Sequence, residues 1–237
     1  MRFRFTARSC LFLSALGLAH ASLITLPSGI PSPSTVVDFS DFADVNTVHT
    51  NGPVQVGNLV GVDVTFTSDN PDGSLLGSGP YQLSDNGVWD STITMAGIDV
   101  DAFLSDTYTM TFSFNSGPVS AVGAFMNYSV FEDSGFGDVT IAALAADSSI
   151  LEQYDITQLA PISTPGGVND GAFRGILRSN ADIFGFSVSN SAAVLTDLTF
   201  SSATLPDNSS VPEPGSIVLM LSGFLFLAGK KIWIARN

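Results

Sequence analysis

Residues 107–114 alternate apolar and hydroxyl side chains, and this alternation restricts the fold of the chain more than any other feature. Tyr108, Met110, Phe112 and Phe114 occupy every second position, and threonine or serine occupies the positions between them. Successive side chains point to opposite faces in a β-strand. The pattern therefore predicts a strand with one buried face and one hydroxyl-covered face.

Runs of similar character recur between residues 36 and 202, and turn sequences such as Asn86-Gly87 and Asp147-Ser148-Ser149 separate them. No part of this region has the sustained 3.6-residue period of a helix with caps. About ten short strands without intervening helices predict an all-β fold, an antiparallel β-sandwich or jelly-roll-like domain. The predicted strands are 54–60, 62–66, 88–95, 107–114, 119–130, 139–146, 150–156, 173–177, 183–188 and 194–200.

The N-terminus, residues 1–21, is typical of a secretory signal peptide. Arginines precede an apolar run at 10–18 that is too short for a membrane anchor, which needs about 20 apolar residues. Ala19 and Ala21 provide the small side chains that a signal peptidase accommodates, so we expect cleavage before Ser22. A buried N-terminal helix is the alternative interpretation.

The C-terminal segment, residues 211–237, places an apolar stretch between a proline motif and basic residues. The prolines of Val211-Pro212-Glu213-Pro214 keep the backbone extended and prevent a helix from continuing upstream. Residues 216–227 are uncharged and strongly apolar, which predicts one C-terminal transmembrane helix with a cytoplasmic basic end. The helix is short unless it continues to residue 235 or its lysines snorkel. The basic end consists of Lys230, Lys231 and Arg236.

These three parts, in this order, resemble the PEP-CTERM sorting signal. The resemblance implies recognition by exosortase, a membrane-embedded cysteine transpeptidase of bacteria that make exopolysaccharide, and processing near the Pro-Glu-Pro motif. It also implies that the inner membrane holds the chain only until processing. The basic end departs from the family pattern, because it is split rather than a compact arginine run. An ordinary C-terminal anchor that stays uncut is the alternative.

The chain is thus expected to comprise five parts: a signal peptide (1–21), an extended lead-in (22–35), a β-sandwich ectodomain (36–205), a linker (206–210) and the sorting signal (211–237).

The region between the signal peptide and the sorting signal contains 21 acidic residues and two basic ones, Arg174 and Arg178, which gives a formal charge of −19. This charge argues against nucleic acid and anionic lipid as partners, because both need basic patches. Ion pairs within the domain are the expected use of both arginines.

Catalytic chemistry has few candidate residues. The mature chain contains His49 as its one histidine, no cysteine and no Gly-x-Ser-x-Gly motif. We therefore expect a protein that is not an enzyme. The alternative is an extracellular polysaccharide hydrolase or lyase with paired carboxylates, and several acids beside aromatic residues in one concave cleft would favour it.

Two groups of oxygen-bearing residues are candidates for a structural calcium ion. Asp69, Asn70 and Asp72 lie close together in one turn, and Asp99 and Asp101 share one face of an extended segment. The first group imitates the beginning of an EF-hand loop, but a glycine occupies the position of the bidentate glutamate. Because aspartate and asparagine are also common turn formers, a turn-forming role is the alternative. No other cofactor is expected.

Trp89, with Tyr81 a short loop before it, is the candidate platform for a sugar ring, and a core position is the alternative. Residues 173–176, 183–188 and 195–200 resemble the last strands of many PEP-CTERM ectodomains, which are carbohydrate-binding-module-like sandwiches. The final strand often carries paired acids in those proteins, whereas only Asp197 is acidic here.

The sequence therefore predicts an exported protein whose partners are the secretory translocon, signal peptidase and exosortase. It is expected at the cell surface or in the extracellular matrix, associated with exopolysaccharide or the cell envelope.

Overall fold

A computed structural model describes residues 21–43, 47–98, 107–129, 138–190 and 192–204. The regular elements are strands, apart from two 3₁₀ turns at Pro27–Gly29 and Ser40–Phe42 and one helical turn, α1, at Ile156–Leu159. The strands are β1 Ser22–Ile24, β2 Thr35–Val37, β3 Val48–Thr50, β4 Val54–Gln55, β5 Val64–Ser68, β6 Ser74–Gly77, β7 Tyr81–Gln82, β8 Val88–Trp89, β9 Met95–Gly97, β10 Thr109–Phe114, β11 Ala121–Tyr128, β12 Thr140–Leu144, β13 Ile150–Asp155, β14 Val168–Asn169, β15 Ala172–Leu177, β16 Gly185–Ser189 and β17 Ala193–Ser201.

The strands form three sheets. The eight-stranded sheet has the order β1-β15-β11-β17-β9-β6-β3, with β2 also paired to β17. The six-stranded sheet has the order β13-β12-β16-β10-β5-β4, and the three-stranded sheet has the order β14-β8-β7. All described pairs in the two larger sheets are antiparallel, and only β14 and β8 pair in parallel. The predicted all-β class with antiparallel sheets is confirmed.

The two larger sheets share one apolar core, which gives the fold its sandwich-like character. In β10, buried Met110, Phe112 and Phe114 alternate with half-buried threonines and serine, as the sequence predicted. These side chains join Phe66 of the six-stranded sheet and Val122 of the eight-stranded sheet in a single cluster. Burying a phenylalanine contributes about 1.5–3 kcal/mol, so this interface is the main source of stability.

The outer face of the eight-stranded sheet is also covered. Along β17, Ala193 and Leu195 belong to the shared core, whereas Val194 packs in a second cluster with Tyr81 and Trp89 of the three-stranded sheet. A third cluster, which includes Ile30, covers the same outer face near β15. Both faces of β17 are therefore buried, which removes the simple alternation of polar and apolar residues there.

Two predicted strands are wrong in extent. The run 88–95 ends after Trp89, because the Asp90 carboxylate accepts hydrogen bonds from the backbone N–H and hydroxyl of Thr92 (2.9 and 2.7 Å) and forms a turn. The run 54–60 ends after Gln55, because Gly61 N–H donates to the Asn58 carbonyl (3.1 Å) in another turn.

The segment predicted as an extended lead-in, 22–35, takes part in the eight-stranded sheet. Ser22 pairs with Leu177 and Ile24 pairs with Gly175 in β1, and Thr35 begins β2.

Within 21–204, no helix of the described ranges is long and apolar enough to span a bilayer. The chain separates into two units, residues 1–204 and 205–237, and every described residue belongs to the first.

Candidate functional site

A cleft of about 380 Å³ lies between the two larger sheets at one end of the domain. Val64 and Phe114 reach it from the six-stranded sheet, and Thr35 and Phe200 reach it from the eight-stranded sheet. The rings of Phe114 and Phe200 meet with their centroids 4.8 Å apart, so an aromatic pair joins the sheets beside the cleft. The full lining is Pro33, Ser34, Thr35, Val62, Asp63, Val64, Phe114, Ser116, Gly117, Pro118, Val119, Phe200, Ser201 and Ser202.

The lip of this cleft carries one carboxylate and several hydroxyls. Asn115 Nδ2 donates to Asp63 Oδ1 (2.8 Å) and to Thr65 Oγ1 (2.7 Å), which fixes the orientation of the carboxylate. Ser116 and Ser202 are exposed. Asp63 is the one acidic residue among the described lining residues, so these residues do not include the carboxylate pair that glycoside hydrolysis uses.

The interpretation of Trp89 and Tyr81 as a sugar platform is wrong. Trp89 is 0 % exposed and Tyr81 is 6 % exposed, and both lie beneath the outer face of the eight-stranded sheet. The Tyr81 hydroxyl donates to the carbonyl of Ile98, so it anchors β7 to the sheet. A ring without exposed surface cannot stack on a sugar.

The candidate calcium ligands at 69–72 make contacts within their own turn. Asn70 is buried, its Nδ2 donates to the Gly73 carbonyl (3.0 Å), and its Oδ1 accepts from Asp72 N–H (3.1 Å). Asp69 Oδ1 accepts from Thr109 N–H (2.6 Å), which connects the turn to β10. These contacts agree with the turn-forming alternative.

Asp99 and Asp101, the other candidate calcium ligands, lie outside the described residues. Among the residues that are described, no group of three or more histidine, cysteine, aspartate or glutamate side chains could hold a metal ion.

Arg174 is buried and forms no ion pair with a carboxylate of the described residues, contrary to the expected ion pair. Its guanidinium donates to the backbone carbonyls of Ala160 (2.6 Å), Phe173 (2.6 Å) and Pro161 (2.9 Å). Burial lowers the pKa of this guanidinium from its ordinary value, although it stays charged near neutral pH. Arg174 therefore holds the chain that follows α1 against β15.

Arg178 forms the ion pairs that the sequence predicted. Its Nε lies 2.6 Å from Asp182 Oδ1, and its Nη2 lies 2.9 Å from Asp182 Oδ2. Its Nη1 lies 3.4 Å from Glu152 Oε2. Asp182 is the main cause of the raised pKa of Arg178. Both arginines of the domain are thus engaged with groups of the domain itself.

A buried network of amides holds the long loop between α1 and β15. Asn86 Nδ2 donates to Asn127 Oδ1 (3.2 Å) and to the carbonyls of Tyr128 (2.9 Å) and Ile162 (3.2 Å), and Asn86 Oδ1 accepts from Thr164 N–H (3.1 Å). Asn86 is 3 % exposed and Asn127 is 0 % exposed. The sequence showed Asn86-Gly87 only as a turn, since nothing local indicates that its side chain points inward.

Asp197 lies at an irregularity where β17 pairs with β11, between Gly123 and Phe125. Its φ of 49° is left-handed, a conformation that aspartate and asparagine tolerate better than most residues. Burial, and then the charges of Asp38 and Asp170, raise the pKa of its carboxyl. Thr196 beside it is 3 % exposed, and its hydroxyl has no hydrogen-bond partner among the described groups.

The predicted processing sites are almost entirely outside the described residues. Ala21 and Ser22 are described, whereas Ala19, the Pro-Glu-Pro motif, the apolar stretch and the basic end are not.

No protein-family model, no curated protein and no solved structure matches this chain.

Proposed function

We propose that this chain is an exported surface or extracellular-matrix protein that exosortase processes at its C-terminal signal. The observation that carries the proposal is the ordered C-terminal pattern of a Pro-Glu-Pro motif, an apolar stretch and a basic end at 211–237, in a chain with a signal-peptide pattern at 1–21. Between them lies the domain, for which we propose an antiparallel β-sandwich or jelly-roll-like arrangement related to carbohydrate-binding modules.

The position of β1 supports cleavage before Ser22. Ser22 is the first residue of β1 and pairs with Leu177, so cleavage at this bond leaves the whole strand on the mature chain. Cleavage two residues later would leave one of its three residues. The translocon would deliver the chain, and signal peptidase would release an N-terminus that can pair at once with β15.

The C-terminal segment would then hold the chain in the inner membrane until exosortase acts near Pro212, Glu213 and Pro214. The two prolines keep the substrate backbone extended, which is the form that a transpeptidase can reach. The apolar stretch gives membrane residence, and the lysines keep the basic end on the cytoplasmic side. Processing transfers the domain to the cell surface or matrix.

Charge and contacts support a role that is not enzymatic. Two arginines against 21 acidic residues keep the domain soluble and disfavour nucleic acid and anionic lipid. The cleft between the sheets contains a single carboxylate among its described residues, which suits binding better than acid–base hydrolysis. We therefore propose association with exopolysaccharide or the cell envelope.

The test measures the mass and location of the mature protein in cells with and without active exosortase. We expect loss of the segment beyond about residue 211 and release from the inner membrane only where the enzyme is active. The double substitution Pro212→Ala and Pro214→Ala should retain the full-length tail, whereas the control Pro206→Ala, a proline of the predicted linker, should be processed normally. A full-length tail in the inner membrane of both strains would refute the proposal.

A further inference from the structure

The cleft between the two larger sheets has the charge of a cation-binding site. Asp63 is the one charged side chain among its described lining residues. Arg174 contacts backbone carbonyls and Arg178 contacts Asp182 and Glu152, so both arginines of the domain are engaged elsewhere. A cleft lined by one sign of charge, in a domain of the same sign, concentrates ligands of the opposite sign.

One oxygen of the cleft carboxylate is available for a ligand. Asp63 Oδ1 accepts from Asn115 Nδ2 (2.8 Å), and no hydrogen bond to Oδ2 occurs within the described ranges. Asn115 N–H also donates to the Asp63 carbonyl (2.9 Å), which fixes the backbone beneath the carboxylate. The group is thus oriented before a ligand arrives, which lowers the entropic cost of binding.

The remaining surface of the cleft suits a sugar ring. Valine, proline and phenylalanine side chains form its apolar walls, and the hydroxyls of Ser34, Ser116 and Ser202 stand at exposed positions on its lip. Phe200 is partly exposed and adds an aromatic ring to this surface, whereas Phe114 is buried beside it. The volume of about 380 Å³ lies near the lower end of ligand-binding pockets, which corresponds to a small ligand.

We propose that this cleft binds a sugar unit that carries a protonated amine, as in a polymer of de-N-acetylated amino sugar. The ammonium group would meet Asp63 Oδ2, the C–H face of the ring would meet the apolar walls, and the ring hydroxyls would meet the serines of the lip. The inference rests on the proposed association with exopolysaccharide and narrows it to a chemical class.

The test compares two trisaccharides that differ only in N-acetylation, the glucosamine trimer and the N-acetylglucosamine trimer. Binding is measured by calorimetry on the full chain in detergent at 0.15 M salt, where long-range attraction is largely screened. We expect the glucosamine trimer to bind at least about tenfold more tightly, because a charge-assisted hydrogen bond stabilises it alone. Asp63→Asn should remove this preference while it keeps the acceptor for Asn115.

Two control variants separate the cleft from the general acidity of the domain. Asp85→Asn removes the same charge from an exposed turn beside β8. Trp89 of β8 packs in one cluster with Val194, near the Ala193 end of β17, whereas the cleft lies at the Ser201 end of that strand. This variant should bind like the wild type. Ser116→Trp should block the exposed lip and abolish binding, and Ser91→Trp, at another exposed turn, should have no effect.

Each result decides one point. Equal weakening by Asp63→Asn and Asp85→Asn would overturn the cleft, since only general charge would then matter. Equal or tighter binding of the N-acetylated trimer would refute recognition of the protonated amine, whereas the proposed association with polysaccharide would remain. If Ser116→Trp left the binding of the cells' own exopolysaccharide unchanged, the cleft would be refuted as the binding site, and only that. If the wild type bound neither trimer nor that exopolysaccharide, the inference and the proposed association would both fail, whereas exosortase processing is decided by the separate mass measurement.

Discussion

Replacing Asn86 with alanine tests whether the buried amide network holds the loop between α1 and β15. The Asn86 side chain contacts Asn127, Tyr128, Ile162 and Thr164 through distances of 2.9–3.2 Å. Its two amide hydrogens and its carbonyl oxygen support about three full hydrogen bonds, each contributing about 1 kcal/mol net. Leaving buried partners unpaired adds about 1–3 kcal/mol. We therefore expect a loss of about 4–6 kcal/mol.

Thermal and denaturant unfolding of the full chain measures this loss. For a domain of this size about 1 kcal/mol corresponds to about 2–4 °C, so the melting temperature should fall by about 8–24 °C. Amide hydrogen exchange should also accelerate in residues 160–171 before other regions, because these residues lose their hydrogen bonds to the Asn86 side chain. The matched control is Asn51→Ala, since Asn51 also precedes a glycine in a turn but is exposed.

A loss below about 1 kcal/mol for Asn86→Ala, or a similar effect of Asn51→Ala, would refute the reasoning. The first result would mean that water replaces the Asn86 amide in the network. The second would mean that burial of the Asn86 side chain is not what determines the loss. An effect on stability without faster exchange in residues 160–171 would assign Asn86 to the core and not to the loop.

Three further predictions concern backbone and charge. Arg174→Met should cost about 2–4 kcal/mol in denaturant unfolding, because three carbonyls lose their donor, and Arg174→Lys should recover only part, since an ammonium cannot reproduce the planar fork. Gly171→Ala should destabilise far more than Gly166→Ala, because both have a φ near 70° but only the first places Cβ 2.1 Å from the Met126 carbonyl oxygen. The raised pKa of Asp197 means that the wild type gains stability below the ordinary carboxyl pKa and loses it as pH rises through the folded value. Asp197→Asn should therefore raise the melting temperature at neutral pH and flatten its decline with rising pH; an unchanged pH profile would contradict this.

The sequence predicted part of the shared core well, because β5, β10 and β16 keep a simple alternation of apolar and polar residues. β10 is the clearest case, with three buried apolar residues separated by hydroxyl residues. The hairpin at 147–149 was also predictable, since β12 and β13 are adjacent in sequence and pair directly. Local chemistry sufficed in both places.

Prediction failed where burial depends on distant parts of the chain. β17 is buried on both faces, so its apolar residues do not reveal which of them meet the three-stranded sheet. β1 and β3 are three-residue edge strands whose partners are about 25 to 155 residues away in the sequence, as the registers Ser22 to Leu177 and His49 to Leu75 show. Trp89 could not be distinguished from an exposed platform, because the segment that covers it is visible only in the folded domain.

The acidity of the domain also has a local cause that composition conceals. Four aspartates accept hydrogen bonds on Oδ1 from the backbone N–H and the hydroxyl of the serine or threonine two positions later: Asp38, Asp90, Asp147 and Asp155. The bonds lower the pKa of Asp38, Asp90 and Asp147, so these carboxylates stay charged while they form turns. Four of the 21 acidic residues between the two terminal signals therefore serve turn formation, and a high acid count alone does not indicate a ligand. What distinguishes Asp63 is its position, because it borders an apolar cleft.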